Sequence, residues 1–149
     1  MKEGAHTYFY KKQLNGRGRF GMVEIQVLSS EEKSKIIDDC QWKIMRKDYP
    51  NTNGVEVWKN SAIAAAQFLV KTFFKSEKLE IRLVDVLGLF VDTAPSHIGV
   101  ALIIGVFDIL DSPLNEIALK NIDNFVIENS DLDKIPDYNQ LTILKSELK

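Results

Sequence analysis

Leu14-Asn15-Gly16-Arg17-Gly18-Arg19-Phe20-Gly21 runs directly into Met22-Val23-Glu24-Ile25-Gln26-Val27-Leu28. In the second half, Val23, Ile25 and Val27 alternate with Glu24 and Gln26, which is the period of a strand with one face in a core. The first half holds three glycines in six positions, permitting positive φ and close backbone approach. Asn15 to Gly21 therefore reads as a turn or hairpin tip. Before it, Ala5 to Lys11 (A-H-T-Y-F-Y-K) is rich in aromatic and β-favouring residues and supplies the first strand.

Downstream, Ser29 to Lys35 is a polar turn, and Ile36 to Met45, with Cys40, Trp42 and Ile44 alternating, reads as a third strand. Lys47 to Gly54 carries Pro50 and Asn53-Gly54 and reads as a loop. Val55 to Phe74 repeats Trp58, Ala62, Ala65, Leu69 and Phe73 at helical spacing. After the charged break Lys75 to Lys78, Leu79 to Val91 is almost continuously apolar, as in a central strand covered on both sides. Asp92-Thr93-Ala94-Pro95 predicts a helix start, with Asp92 or Thr93 as the cap and Pro95 in the first turn. Ile98, Ala101, Leu102, Gly105, Val106 and Ile109 form its buried stripe, and Ser112-Pro113 ends it.

The order of three strands, helix, strand, helix predicts an α+β fold. Its four-stranded, mostly antiparallel sheet would carry both helices on one face. Residues 1–112 would form this domain, with 113–149 a C-terminal extension packed on it. Within the extension, Leu114 to Ile122 reads as a short helix, and Phe125 to Ile127 and Leu141 to Leu144 as short strands.

A chain of 149 residues, 45% hydrophobic and 27% charged, has the size and composition of one globular domain. A net charge of -2 argues against a uniformly basic nucleic-acid binder. The charge is polarised, however. Met1 to Gly21 holds five cations against Glu3, a balance of +4, and Pro113 onward holds four lysines against seven acids, a balance of -3. Cys40 is the only cysteine, which leaves no internal disulfide and no cysteine-based metal site. The N-terminus lacks a signal-like apolar region, and Ile98 to Leu110 contains Asp108 and is too short for a bilayer. The expectation is a cytoplasmic protein with no membrane partner.

Lys12 to Ile25, K-Q-L-N-G-R-G-R-F-G-M-V-E-I, resembles the opening of domain IV in translation elongation factor G, where a Gly-Gly-Arg-Gly-Gln-Tyr-like loop precedes a strand. The long helix from Val55, the strand ending Leu83-Val84-Asp85-Val86, and Val91-Asp92-Thr93 leading into an Ala-containing helix extend the resemblance across Met1 to Leu110. It implies the ribosomal protein S5 domain 2-like fold and an RNA-contacting tip. Two departures stand out at that tip. Arg19 occupies the position of the family's Gln, and Gly88-Leu89-Phe90 makes a shorter second tip loop without its His. The chain also has no Gly-x-x-x-x-Gly-Lys-Ser/Thr loop to cradle phosphates, so the family's GTP hydrolysis and nucleotide binding are not expected of it.

Gly16, Arg17, Gly18 and Arg19, extended by Lys11 and Lys12, are the candidate nucleic-acid contacts, offering amides and cations to phosphates. A tight hairpin with solvated arginines is the alternative. His97 with Asp92 would make a His–Asp pair, and His6 is the other histidine, but no Ser or Cys nucleophile has a recognisable setting. A pocket shared by His97, Asp92 and Asp85 would point to an enzyme. Cys40 and Asp85 read as buried structural groups. Trp58, Phe68, Phe73 and Phe74 read as core, whereas exposure of both Phe73 and Phe74 would mark an interaction surface. Asp131, Asp133 and Asp137 belong to a solvated extension, or else imitate nucleic acid or cover the basic loop. The expected protein has no catalytic residues, metal or cofactor, and binds ribosomal RNA or the ribosome. The alternative is a protein-interaction module of immunity or inhibitor type that binds no RNA.

Overall fold

In the computed structural model, which describes residues 1–143, β1 (His6–Leu14) and β2 (Arg17–Ser29) form a long antiparallel hairpin. Its turn is Asn15-Gly16 alone, both at positive φ (53° and 71°). That is the two-residue turn whose twist matches the paired strands. The expected tip of Asn15 to Gly21 is thus corrected: Gly18 to Gly21 are strand residues, because the ladder continues through Leu14↔Arg17.

β3 (Lys35–Asp38) and β4 (Leu79–Leu87) complete a sheet of order β1-β2-β4-β3. β2 pairs antiparallel with β4, and β3 pairs parallel with it. Val23, Ile25 and Val27 are buried opposite Val86, Leu83 and Ile81. A bulge at Val84 keeps both apolar sets on one face. The third strand is shorter than expected. After Asp38 the chain continues beside β4 through Asp39 N–H to the Leu83 carbonyl, then turns at Trp42, which has φ 55°. It enters the short helix α1 (Met45–Asp48) within the segment expected to be strand and loop. Likewise β4 stops at Leu87, and 88–94 is a connection.

α2 (Glu56–Thr72) packs on β3 and β4, and α3 (Pro95–Ile109) on β1 and β2, with the two helices against each other. Gly21 is required where β2 passes α3: a Cβ there would lie 2.7 Å from the His97 carbonyl carbon. Neither Asp92 nor Thr93 caps α3. The N-cap is Ala94, and His97 Nδ1 reaches back to accept its amide at 2.9 Å.

Thirteen of the fifteen α3 residues are buried, because the extension covers its outer side. There the sequence reading is corrected again. α4 (Glu116–Glu128) is one helix through Phe125 to Ile127, capped by Asn115 Oδ1 on the Ala118 amide at 3.0 Å. Leu141 to Ile143 carry no strand, and Leu144 lies outside the described residues. Tyr138 stacks on Phe125 (5.5 Å) and its hydroxyl lies 2.6 Å from Ser61 Oγ, which also donates to the Pro95 carbonyl. The extension is thereby bound to α2 and to the start of α3. Among the described residues no helix is long and apolar enough to cross a membrane.

Candidate functional site

Strand alternation sorts the hairpin side chains. The Tyr8 hydroxyl donates to Asp108 on α3, and the Tyr10 hydroxyl to Asp123 on α4. Lys12 Nζ lies 4.0 Å from the same Asp123. These three face the helices, so Phe9, Lys11 and Gln13 face away. Across the ladder Arg19 pairs with Lys12 and therefore also turns inward. It is 5% exposed and donates from Nη1 to Ser130 Oγ at 2.7 Å. Burial first, and then the neighbouring Arg17 charge, lower its pKa from the ordinary value.

Of the six expected contacts, Lys11 and Lys12 are exposed, Gly16 sits at the turn, and Arg17 and Gly18 are half-buried. Arg19 is withdrawn from solvent. Lys11 and Arg17 form no ion pair among the described residues.

The 88–94 connection is stitched to the hairpin at Phe20. The Phe20 amide donates to the Asp92 carbonyl at 3.1 Å, and Thr93 Oγ1 donates to the Phe20 carbonyl while accepting from the Leu89 amide, both at 2.7 Å. Between the two lies a groove of about 450 Å³ lined by Lys11, Gln13, Phe20, Leu89 and Asp92, with Arg19 contributing to its wall. A second groove of about 440 Å³ adjoins it between Met45, Tyr49 and the same connection. On its rim Leu89 (48%), Phe90 (49%) and Val91 (80%) are exposed, and Phe90 meets Tyr49 edge-on at 4.7 Å. Apolar content assigned Leu89, Phe90 and Val91 to a covered central strand, and the resemblance made Gly88-Leu89-Phe90 a shortened loop; β4 instead ends at Leu87 and leaves the three side chains exposed.

His97 is fully buried and stacks on Tyr10 at 6.0 Å. Burial above all, and then the Arg19 charge, push its pKa down to about 4. Its Nδ1 accepts from Ala94, so the neutral ring carries its proton on Nε2. Asp85 is 1% exposed and accepts from the Val86 and Ile44 amides. Asp92 lines both grooves, and neither His97 nor Asp85 lines either, so the three do not converge. His6 Nε2 bonds the Glu3 carbonyl at 2.7 Å. Burial pushes the Cys40 thiol up to about 11, away from thiolate chemistry. Trp58, Phe68 and Phe74 are buried and Phe73 packs against the core. The extension meets the hairpin through Asp123 and Ser130. Asp131 and Asp137 instead close local turns onto the Asp133 and Asn139 amides.

No protein-family model matches the sequence, and no curated protein matches it. Among solved structures, a crystal structure of a protein from Thermus thermophilus is similar at a TM-score of 0.48 and 13% identity. That match covers 66% of this chain and 14% of the other, so this chain spans about a seventh of that protein's length.

Proposed function

We propose that the chain is a non-enzymatic domain of the elongation factor G domain IV type that binds RNA, ribosomal RNA above all, through the β1–β2 hairpin. The observation that carries the reading is the groove beside Phe20, where exposed cations border an aromatic ring at the end of the sheet. Lys11, exposed, and Arg17, half-buried, supply charge with no ion pair among the described residues, on the paired strands that flank the Asn15-Gly16 turn. Arg19 acts mainly from beneath: it ties the hairpin to Ser130 and adds positive potential at the groove wall. The resemblance of Lys12 to Ile25 to the family's tip segment supports the same use.

The exposed rim of Leu89, Phe90, Val91 and Tyr49 favours a second reading, a protein-interaction module docking on that end. A pull-down from native lysate with and without nuclease separates the two. Selective, nuclease-sensitive recovery of ribosomes or ribosomal RNA is the result expected for RNA binding. One stoichiometric protein retained after nuclease treatment, with no RNA, would replace it by the second reading.

A further inference from the structure

We propose that the face of the β1–β2 hairpin turned away from the helices is a stacking platform for single-stranded RNA, with Phe9 and Phe20 each receiving an unpaired base. This rests on the RNA-binding reading and specifies its ligand. Phe9 is in mid-strand, yet it is 57% exposed. Its neighbours Tyr8 and Tyr10 point into the helix layer, so its ring is held on the opposite face by strand alternation. Phe20 lies on the same face, half-buried, with ring centroids 6.0 Å apart and planes inclined by 51°. Two rings at that inclination do not make one continuous wall, so each offers its own surface to a separate base.

Charge complementarity identifies the occupant. Lys11 is directly opposite Phe20 in the ladder and two residues from Phe9 on the same face. A cation on the same face as the two rings, with no ion pair among the described residues, suits a strand whose bases stack while its phosphates pass the ammonium group. Beyond Phe20 the groove continues to Gln13 and Asp92, whose amide and carboxylate offer a donor and acceptors to a base edge. A duplex presents none of this: its bases are already stacked, and its phosphates alone would meet the hairpin. The platform therefore selects unpaired RNA.

The test is fluorescence anisotropy with a labelled 12-nucleotide single-stranded RNA and the same sequence as a duplex. Wild type is expected to bind the single strand more tightly than the duplex. Phe9→Ala should weaken single-strand binding roughly 5- to 150-fold, leaving the salt slope unchanged, and Phe9→Tyr should retain binding. Phe9 is largely exposed, and a thermal melt checks that the variants remain folded. If Phe9→Ala binds the single strand as wild type does, while Lys11→Gln/Arg17→Gln loses affinity, the platform is wrong and the RNA-binding reading stands. If wild type binds neither RNA at low salt, both fail.

Discussion

A fully buried histidine stacked on a tyrosine and close to a guanidinium is most stable without a proton, and His97 is in that position. Its folded pKa near 4 lies below the ordinary 6.5. Between those values the unfolded chain binds a proton that the folded chain excludes. Stability from this residue is therefore complete above pH 6.5, declines as pH falls toward 4, and is flat below. The interval corresponds to about 3 kcal/mol. The Asp108 and Glu80 carboxyls are held below their ordinary values of 3.8 and 4.5, chiefly by Lys2 and Arg82 respectively, so their contributions are lost mainly at lower pH. Urea melts at pH 7, 5.5 and 4.5 should show wild type losing stability across this window. His97→Asn, which keeps an acceptor for the Ala94 amide, should lose much less, and parallel profiles would refute the assignment. The sequence placed His97 in the first turn of a helix, but nothing in its neighbours announced that it would replace a cap residue. Arg19 was more legible than its reading. Counting back by twos from Val27 through Ile25, Val23 and Gly21 reaches Arg19, which puts it on the core face. The glycines drew attention to a loop and away from that parity.

The hairpin and α3 meet at Gly21, where any side chain would collide with main chain that cannot rotate aside. Gly21→Ala should destabilise the fold by about 1–3 kcal/mol, read as a lower urea midpoint. An unchanged midpoint would show that α3 can shift away from β2. Elements with sustained periodicity were legible: β2 from its alternation, α2 and α3 from their stripes, and the sheet order's α+β class from their succession. The shorter pieces were not. β3 ends at Asp38 because, after one further bond from the Asp39 amide to the Leu83 carbonyl, the chain turns away from β4 at Trp42, and the Ile44 amide donates to the Asp85 side chain. Phe125 to Ile127 looked like a strand in isolation. Ala118, Ile122, Phe125 and Val126 together form the buried stripe of α4, a period visible only across a longer window that begins at the Asn115 cap.

Across the whole molecule, cations of the basic beginning meet carboxylates of α3, of the turn that follows it and of α4. The terminal amine bonds Asp111 and Lys2 bonds Asp108, each at 2.7 Å, while Lys12 shares Asp123 with Tyr10. Lys2 and Lys12 thus meet acids inside the fold and Arg19 is buried against Ser130, whereas Lys11 and Arg17 form no ion pair among the described residues. Lys11 is exposed, as strand alternation anticipates, whereas Arg17 is half-buried, and the pairing of Lys12 with Asp123 depends on where α4 docks. In the proposed RNA-binding role Lys11 and Arg17 meet RNA phosphates. The direct measurement is the dependence of RNA affinity on salt for wild type and Lys11→Gln/Arg17→Gln. The double variant is expected to bind more weakly, with a log–log salt slope reduced by about 1.4, or roughly 0.7 for each lost phosphate contact. Equal slopes and equal affinities would contradict it.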